Sequence, residues 1–79
     1  MLLEIITPEK SLFKGEVELV QVPGTKGGFE ILKNHAPIIS TLTVGIVRIV
    51  LKGGEEKTFD INSGVLESHS NDIRILIEE

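Results

Sequence analysis

IVRIVLKGGEEKTFDI, Ile46 to Ile61, is the stretch that decides the fold class. Ile46 to Lys52 is dominated by Ile and Val, whose branched Cβ suits a pleated surface better than a helix. Gly53-Gly54 follows, and glycine supplies the positive φ of a tight primed turn, so a two-residue hairpin is predicted here. Thr58 to Ile61 then resumes, with Phe59 and Ile61 on one face. Two strands joined by a turn fit this segment, and a helix does not.

The same reading extends in both directions. Toward the N-terminus, Leu2 to Thr7 stops at Pro8, which lacks the N–H that a ladder needs. Glu16 to Val22 alternates as Val17 and Leu19, then changes phase to Val20 and Val22, the pattern a β-bulge produces. Pro23-Gly24 opens a loop that closes at Gly27-Gly28, and Phe29 and Ile31 restart the alternation. Ile38 to Leu42 is a further strand after a corner at Lys33 to Pro37. Toward the C-terminus come Val65 to Ser68, a turn at Ser70-Asn71-Asp72, and the alternating Ile73, Ile75 and Ile77. No segment holds apolar residues at i, i+3, i+4 and i+7 for three turns. Strands every eight to twelve residues predict an all-β fold, a two-sheet β-sandwich of about eight to ten short, mostly antiparallel strands. Residues 1–79 form one domain, without linker or repeat.

Composition narrows the function. A chain of 79 residues gains little net stability from its core after an ordering cost on the order of 1.5 kcal/mol per residue, so a protein partner is expected. There is no cysteine, which excludes disulfides and thiolate metal sites. The net charge is −4, the basic residues are dispersed, and there is no Tyr or Trp, so nucleic acid is not the expected ligand. The longest apolar runs flank Arg48 and are too short for a membrane-spanning helix. Met1 to Glu4 does not have the form of a secretory signal.

The motifs that invite a chemical reading each fall short. His35 lacks a nucleophile-elbow or similar signature around Ser40 or Ser63, so it is read as a hydrogen-bonded corner residue. His35 and His69 do not have metal-ligand spacing. Pro23 to Gly28 fails the phosphate-loop pattern and is not followed by a helix. Its glycines leave room for another backbone, so an interaction loop is retained as a reading. Lys52 beside Gly53-Gly54 raises a lysine-modified carrier domain, but the neighbours such a lysine usually has are missing. Catalytic, metal and cofactor sites are therefore all expected to be absent.

The order Gly27-Gly28-Phe29-Glu30-Ile31-Leu32-Lys33-Asn34-His35-Ala36-Pro37-Ile38-Ile39-Ser40-Thr41-Leu42-Thr43-Val44-Gly45 resembles the N-terminal domain of the F-type ATP synthase epsilon subunit. In that family the segment reads like G-E-F-G-V-L-P-G-H-A-P-L-L-T-x-L-x-P-G. The resemblance extends to the opening strand, to a turn at Phe13-Lys14-Gly15, to the basic residue in "GIVRIV" (Arg48), to "NSGVLES" and to the last strand. Departures lie at Lys33-Asn34, where the family has Pro-Gly, at Ser63 for a glycine, and at Gly28 for an acid. Asn34 then has to turn the corner, and asparagine tolerates left-handed φ better than most residues.

The resemblance implies a sandwich of two five-stranded sheets in the central stalk of a rotary ATP synthase. Such a rotor subunit is not an enzyme in itself. It binds the gamma subunit and the membrane c-ring, coupling ion translocation to ATP synthesis, with no cofactor. Its place is the cytoplasmic face of the bacterial inner membrane, peripheral, through the complex. By position, Gly24, Thr25, Lys26, Gly27, Gly28 and Phe29 form the c-ring-facing loop. Thr7, Pro8, His35, Pro37, Ile38, Ile39 and Ser40 match the gamma-facing side. Many family members continue into two C-terminal helices that restrain hydrolysis and in some bind ATP. This chain stops before them, so a complete chain would be without both properties. The alternative expectation is a stand-alone small β-sandwich, a binding module or a lysine-modified carrier.

Overall fold

The computed structural model describes residues 1–78, and the described residues form eight strands and no helix. They are β1 (Leu2–Ile6), β2 (Ser11–Val22), β3 (Phe29–Leu32), β4 (Ile38–Leu42), β5 (Gly45–Leu51), β6 (Glu56–Ile61), β7 (Ser63–His69) and β8 (Asp72–Glu78). The strand order is β4-β7-β8-β1-β2-β5-β6, with β3 paired to β2. All pairings are antiparallel except β1 with β8, the first and last strands, which run parallel side by side.

The two layers share one strand. The first part of β2 pairs with β1, from Ser11 opposite Ile6 to Glu16 opposite Leu2. Its second part, from Val17 on, pairs with β5 on one side and β3 on the other. One layer is thus β4-β7-β8-β1-β2 and the other β3-β2-β5-β6, five strands against four rather than five against five. The phase change read in the sequence is a real bulge, but it lies between Val17 and Leu19. Val17, Val20 and Val22 therefore point inward, at 2%, 0% and 1% exposure, while Leu19 turns out of the core. A bulge adds twist, and here it re-aims the chain as β2 passes from one layer to the other.

Three local expectations need correction. Phe13-Lys14-Gly15 is not a turn. It lies inside β2, opposite Ile5, Glu4 and Leu3, and the turn is Thr7 to Lys10. There the Thr7 hydroxyl accepts the N–H groups of Glu9 and Lys10, a side chain taking over the role of a backbone acceptor. The Gly53-Gly54 loop is longer than two residues. Leu51 N–H donates to Glu55 O at 2.7 Å and Gly54 N–H to Leu51 O at 2.9 Å, so Lys52 joins the loop. Both glycines have positive φ, which explains why the pair is needed even in the longer turn. In the third case, Asp72 belongs to β8, and the turn before it is Ser70-Asn71 alone. The φ values there are 51° and 63°, as a type I′ turn requires at both central positions.

The core is aliphatic and continuous between the layers, from Leu3 and Ile5 through Val20, Val47 and Ile49 to Leu66, Ile73, Ile75 and Ile77. On the outer face of the five-stranded layer, cross-strand pairing sets Glu67, Arg74, Glu4 and Lys14 in one row. Signs alternate along it, so each charge sits beside its opposite, the arrangement that favours such pairs. On the other layer Arg48 of β5 bridges Glu56 and Gln21. These ion pairs are exposed and stabilise little.

Candidate docking site

Loop 23–28 is shaped by Gly24. Gly27 N–H donates to Gly24 O at 3.0 Å, closing a turn. A Cβ on Gly24 would lie 2.7 Å from Gly27 O and 2.9 Å from the Phe29 ring, so no other residue fits there without moving backbone. The loop is then tied to β4. Thr25 N–H donates to Thr41 O at 3.0 Å, Thr43 N–H to Pro23 O at 2.9 Å, and the two hydroxyls of Thr25 and Thr41 lie 2.8 Å apart. Gly24 and Leu42 form an isolated antiparallel bridge between them. The end of β2 thus returns to the far edge of the layer in which β2 began, and the sheet curls into a half-barrel.

The corner at Lys33 to Pro37 has its own supports. His35 N–H donates to Leu32 O at 3.1 Å, and Asn34 has φ 66°, the left-handed value expected from its chemistry. Its partner, Asn71 in the β7–β8 turn, went unnoticed in the sequence. Asn34 N–H donates to Asn71 Oδ1 at 2.9 Å, and Asn71 Nδ2 donates back to Asn34 Oδ1 at 3.3 Å. Asn71 O also accepts Leu2 N–H, so one turn residue ties together β1, β8 and the corner. His35 is exposed, and its Nδ1–H donates to Ala36 O at 2.7 Å, a local brace that fixes the tautomer. Asn71→Gly keeps the left-handed turn and deletes the side-chain bonds. It is expected to cost about 1 kcal/mol in urea unfolding. A loss indistinguishable from zero would mean that the Asn34–Asn71 pair is decorative.

The structure brings some of the predicted residues together and separates others. Gly24 to Phe29 and Ile38 to Thr41 line one open groove of about 630 Å³, so the predicted c-ring-facing loop and the predicted gamma-facing strand are adjacent walls. Thr7 and Pro8 are not beside His35. The ladder puts His35 to Pro37 at the His69/Asp72 end of the layer and Thr7-Pro8 at the Ser63/Glu78 end. Strand β4 runs between these ends, and Pro8 shares a shallow apolar depression with Thr41, Val65 and Leu76. Val65 and Leu76 are exposed at 43% and 44% and pair directly across β7 and β8. They were legible as an anomaly. In Ile75-Leu76-Ile77 the middle residue occupies the polar phase held elsewhere by Asp72, Arg74 and Glu78.

Among the described residues, no cluster of three His, Asp or Glu side chains could hold a metal, and no helix is long and apolar enough to cross a membrane. The family described as ATP synthase, Delta/Epsilon chain, beta-sandwich domain matches residues 1–79. The ATP synthase epsilon chain of Chlorobaculum tepidum is 43% identical over 77 residues, covering 98% of this chain and 88% of the relative. That of Leptospira interrogans serovar copenhageni is 46% identical over 74 residues, covering 94% of this chain, which spans only 58% of the relative's length. A chain in the cryo-EM structure of Euglena gracilis mitochondrial ATP synthase (OSCP/F1/c-ring) superposes with a TM-score of 0.91 at 20% identity, covering 98% of this chain and 49% of its own. One in the central stalk/c-ring structure from Tetrahymena thermophila gives 0.84 at 16%, covering 99% and 63%. At such identities the likeness is one of fold.

Proposed function

This chain belongs to the ATP synthase delta/epsilon chain β-sandwich family, and from that premise we propose that it is a central-stalk subunit that binds the gamma subunit and the c-ring. In that role it catalyses nothing itself and holds no cofactor. It transmits rotation between the membrane ring and the catalytic head, coupling ion translocation to ATP synthesis, and it lies peripherally at the cytoplasmic face of the bacterial inner membrane. The observation that carries the reading is the match along all of residues 1–79, joined to 43% identity with an epsilon chain of which 88% is covered. The geometry supports it. The loop assigned to the c-ring and the strand assigned to gamma are tied by Thr25 and Thr41, so a push on one is felt by the other through short hydrogen bonds. A ladder-tied sandwich opens locally less readily than a frayed segment, which suits a part under torque.

The test is size-exclusion chromatography of this chain with the gamma subunit of the same organism. Co-elution as a one-to-one complex is expected at micromolar concentration, and Lys33→Glu combined with His35→Glu is expected to weaken it about tenfold or more. Separate elution of the unaltered chain, with an added mass on Lys52 in the intact protein, would instead favour the carrier reading.

A further inference from the structure

The sheet edges offer a partner little. Edge strands β6 and β3 carry charges, which resist unwanted pairing, and β4, which has none, is already met by Thr25. The outer face of the five-stranded layer is larger, and the ladder lays its side chains out in three rows across β7, β8, β1 and β2. The central row is Glu67, Arg74, Glu4 and Lys14. On one side of it run Val65, Leu76, Ile6 and Ser11, and on the other His69, Asp72, Leu2 and Glu16. Val65, Leu76 and Leu2 are exposed on this face, and apolar groups rimmed by charges mark an interaction surface.

The central row reads minus, plus, minus, plus, so it is complementary to its own reverse. A second copy turned about an axis along the strands, midway between β8 and β1, sets Arg74 over Glu4 and Glu67 over Lys14, each twice. The same operation brings Leu76 over Ile6 and His69 over Glu16. Other axes do worse. One through β8 sets Arg74 against itself and Glu67 against Glu4, and one across the strands sets every charge of the row against its own copy. An axis between β7 and β8 places Ile39 over Glu4 and leaves Lys14 unmatched. Like charges in register select against these arrangements. The outer face of the other layer has no such symmetry, because its row Leu32, Leu19, Val50 and Glu56 would meet itself with leucine over carboxylate.

We propose that two copies of this chain pair face to face through β7, β8, β1 and the first part of β2, about the axis midway between β8 and β1. The contact is isologous, the same patch serving both copies. Leu76 and Ile6 supply apolar burial, and the charge pairs set register more than affinity. A depression of about 390 Å³ lined by Glu4, Lys14, Glu67, His69 and Arg74 leaves room for the long side chains of the facing copy. Four short strands bury less than about 1,200 Å² in total, so the dimer is weak and reversible. The inference does not depend on gamma as a partner.

Sedimentation equilibrium of this chain from about 10 to 500 µM tests it, with a dissociation constant on the order of 100 µM expected. Arg74→Glu and Glu4→Arg are each expected to weaken the dimer at least tenfold while the unfolding midpoint holds, since both positions are on the surface. Mixed one to one, the two variants are expected to form a heterodimer within about threefold of the original affinity, because every facing pair is then again of opposite sign. The unaltered dimer should also weaken at least threefold from about 0.05 to 0.5 M salt, a readout that needs no variant. A chain that stays monomeric throughout the range overturns the proposal. So does a salt-insensitive dimer, a Glu4→Arg variant that still dimerises, or a mixture that does not.

Discussion

Ile75→Ala is expected to cost about 2–5 kcal/mol, the range for deleting a large aliphatic side chain from a core that cannot close around the gap. Ile75 lies in β8 between Leu66 of β7 and Ile5 of β1, and all three are 0% exposed. They form one buried row across the centre of the five-stranded layer. Each is held in place by a ladder on both sides, so none can move in to fill the cavity. A domain of this length has roughly 0.05–0.15 kcal/mol per residue of stability, about 4–12 kcal/mol in all. The variant thus loses a large part of what there is. With a urea slope of about 1 kcal/mol per molar for a small protein, the midpoint should fall by about 2 M or more. Leu76→Ala, one residue on and 44% exposed, is expected to change stability by less than about 0.5 kcal/mol. Equal losses at the two positions would mean that the strand does not face the core as described.

Gly64→Ala is the second large effect, and its cause is crowding. A Cβ at Gly64 would lie 2.7 Å from Leu76 O and 3.2 Å from Ile77 Cγ2. Neither can retreat, since both belong to the neighbouring strand, whose Ile77 is the direct partner of Gly64. The added methyl must push β7 away from β8, at about 1–3 kcal/mol. In a domain of this size each kcal/mol lowers Tm by about 4–8 °C. Gly64 is also paired with Leu42 on its other side, so the displacement should reach β4 and the groove. Weakened gamma binding is expected along with the lower Tm. Gly28→Ala is the control, because its Cβ meets only Val22 O, at 3.4 Å. A stable Gly64→Ala protein would show that β7 and β8 can separate at no cost.

Much of this was legible in the residues themselves. The spacing of Ile and Val placed all eight strands, and the phase change after Leu19 revealed a bulge within one residue or two of its true position. Asn34 announced a left-handed corner, and the segment from Gly27 to Gly45 carried the family resemblance. What eluded the sequence has one common feature. The long run of β2 through Phe13-Lys14-Gly15 and the Asn34–Asn71 pair both depend on residues distant in the chain.

The division has a physical cause. Side-chain alternation, turn dihedrals and the missing N–H of proline are properties of a few adjacent residues, so the sequence alone determined that this chain is all-β and where it bends. Which strand lies beside which is settled by burying two apolar faces at once. Only the tertiary structure could therefore decide that β1 and β8 run parallel, that β2 serves both layers, and that β4 is the edge left without a charge. That last outcome lies furthest from the reach of the sequence, because an open edge is defined by the strand that is not there.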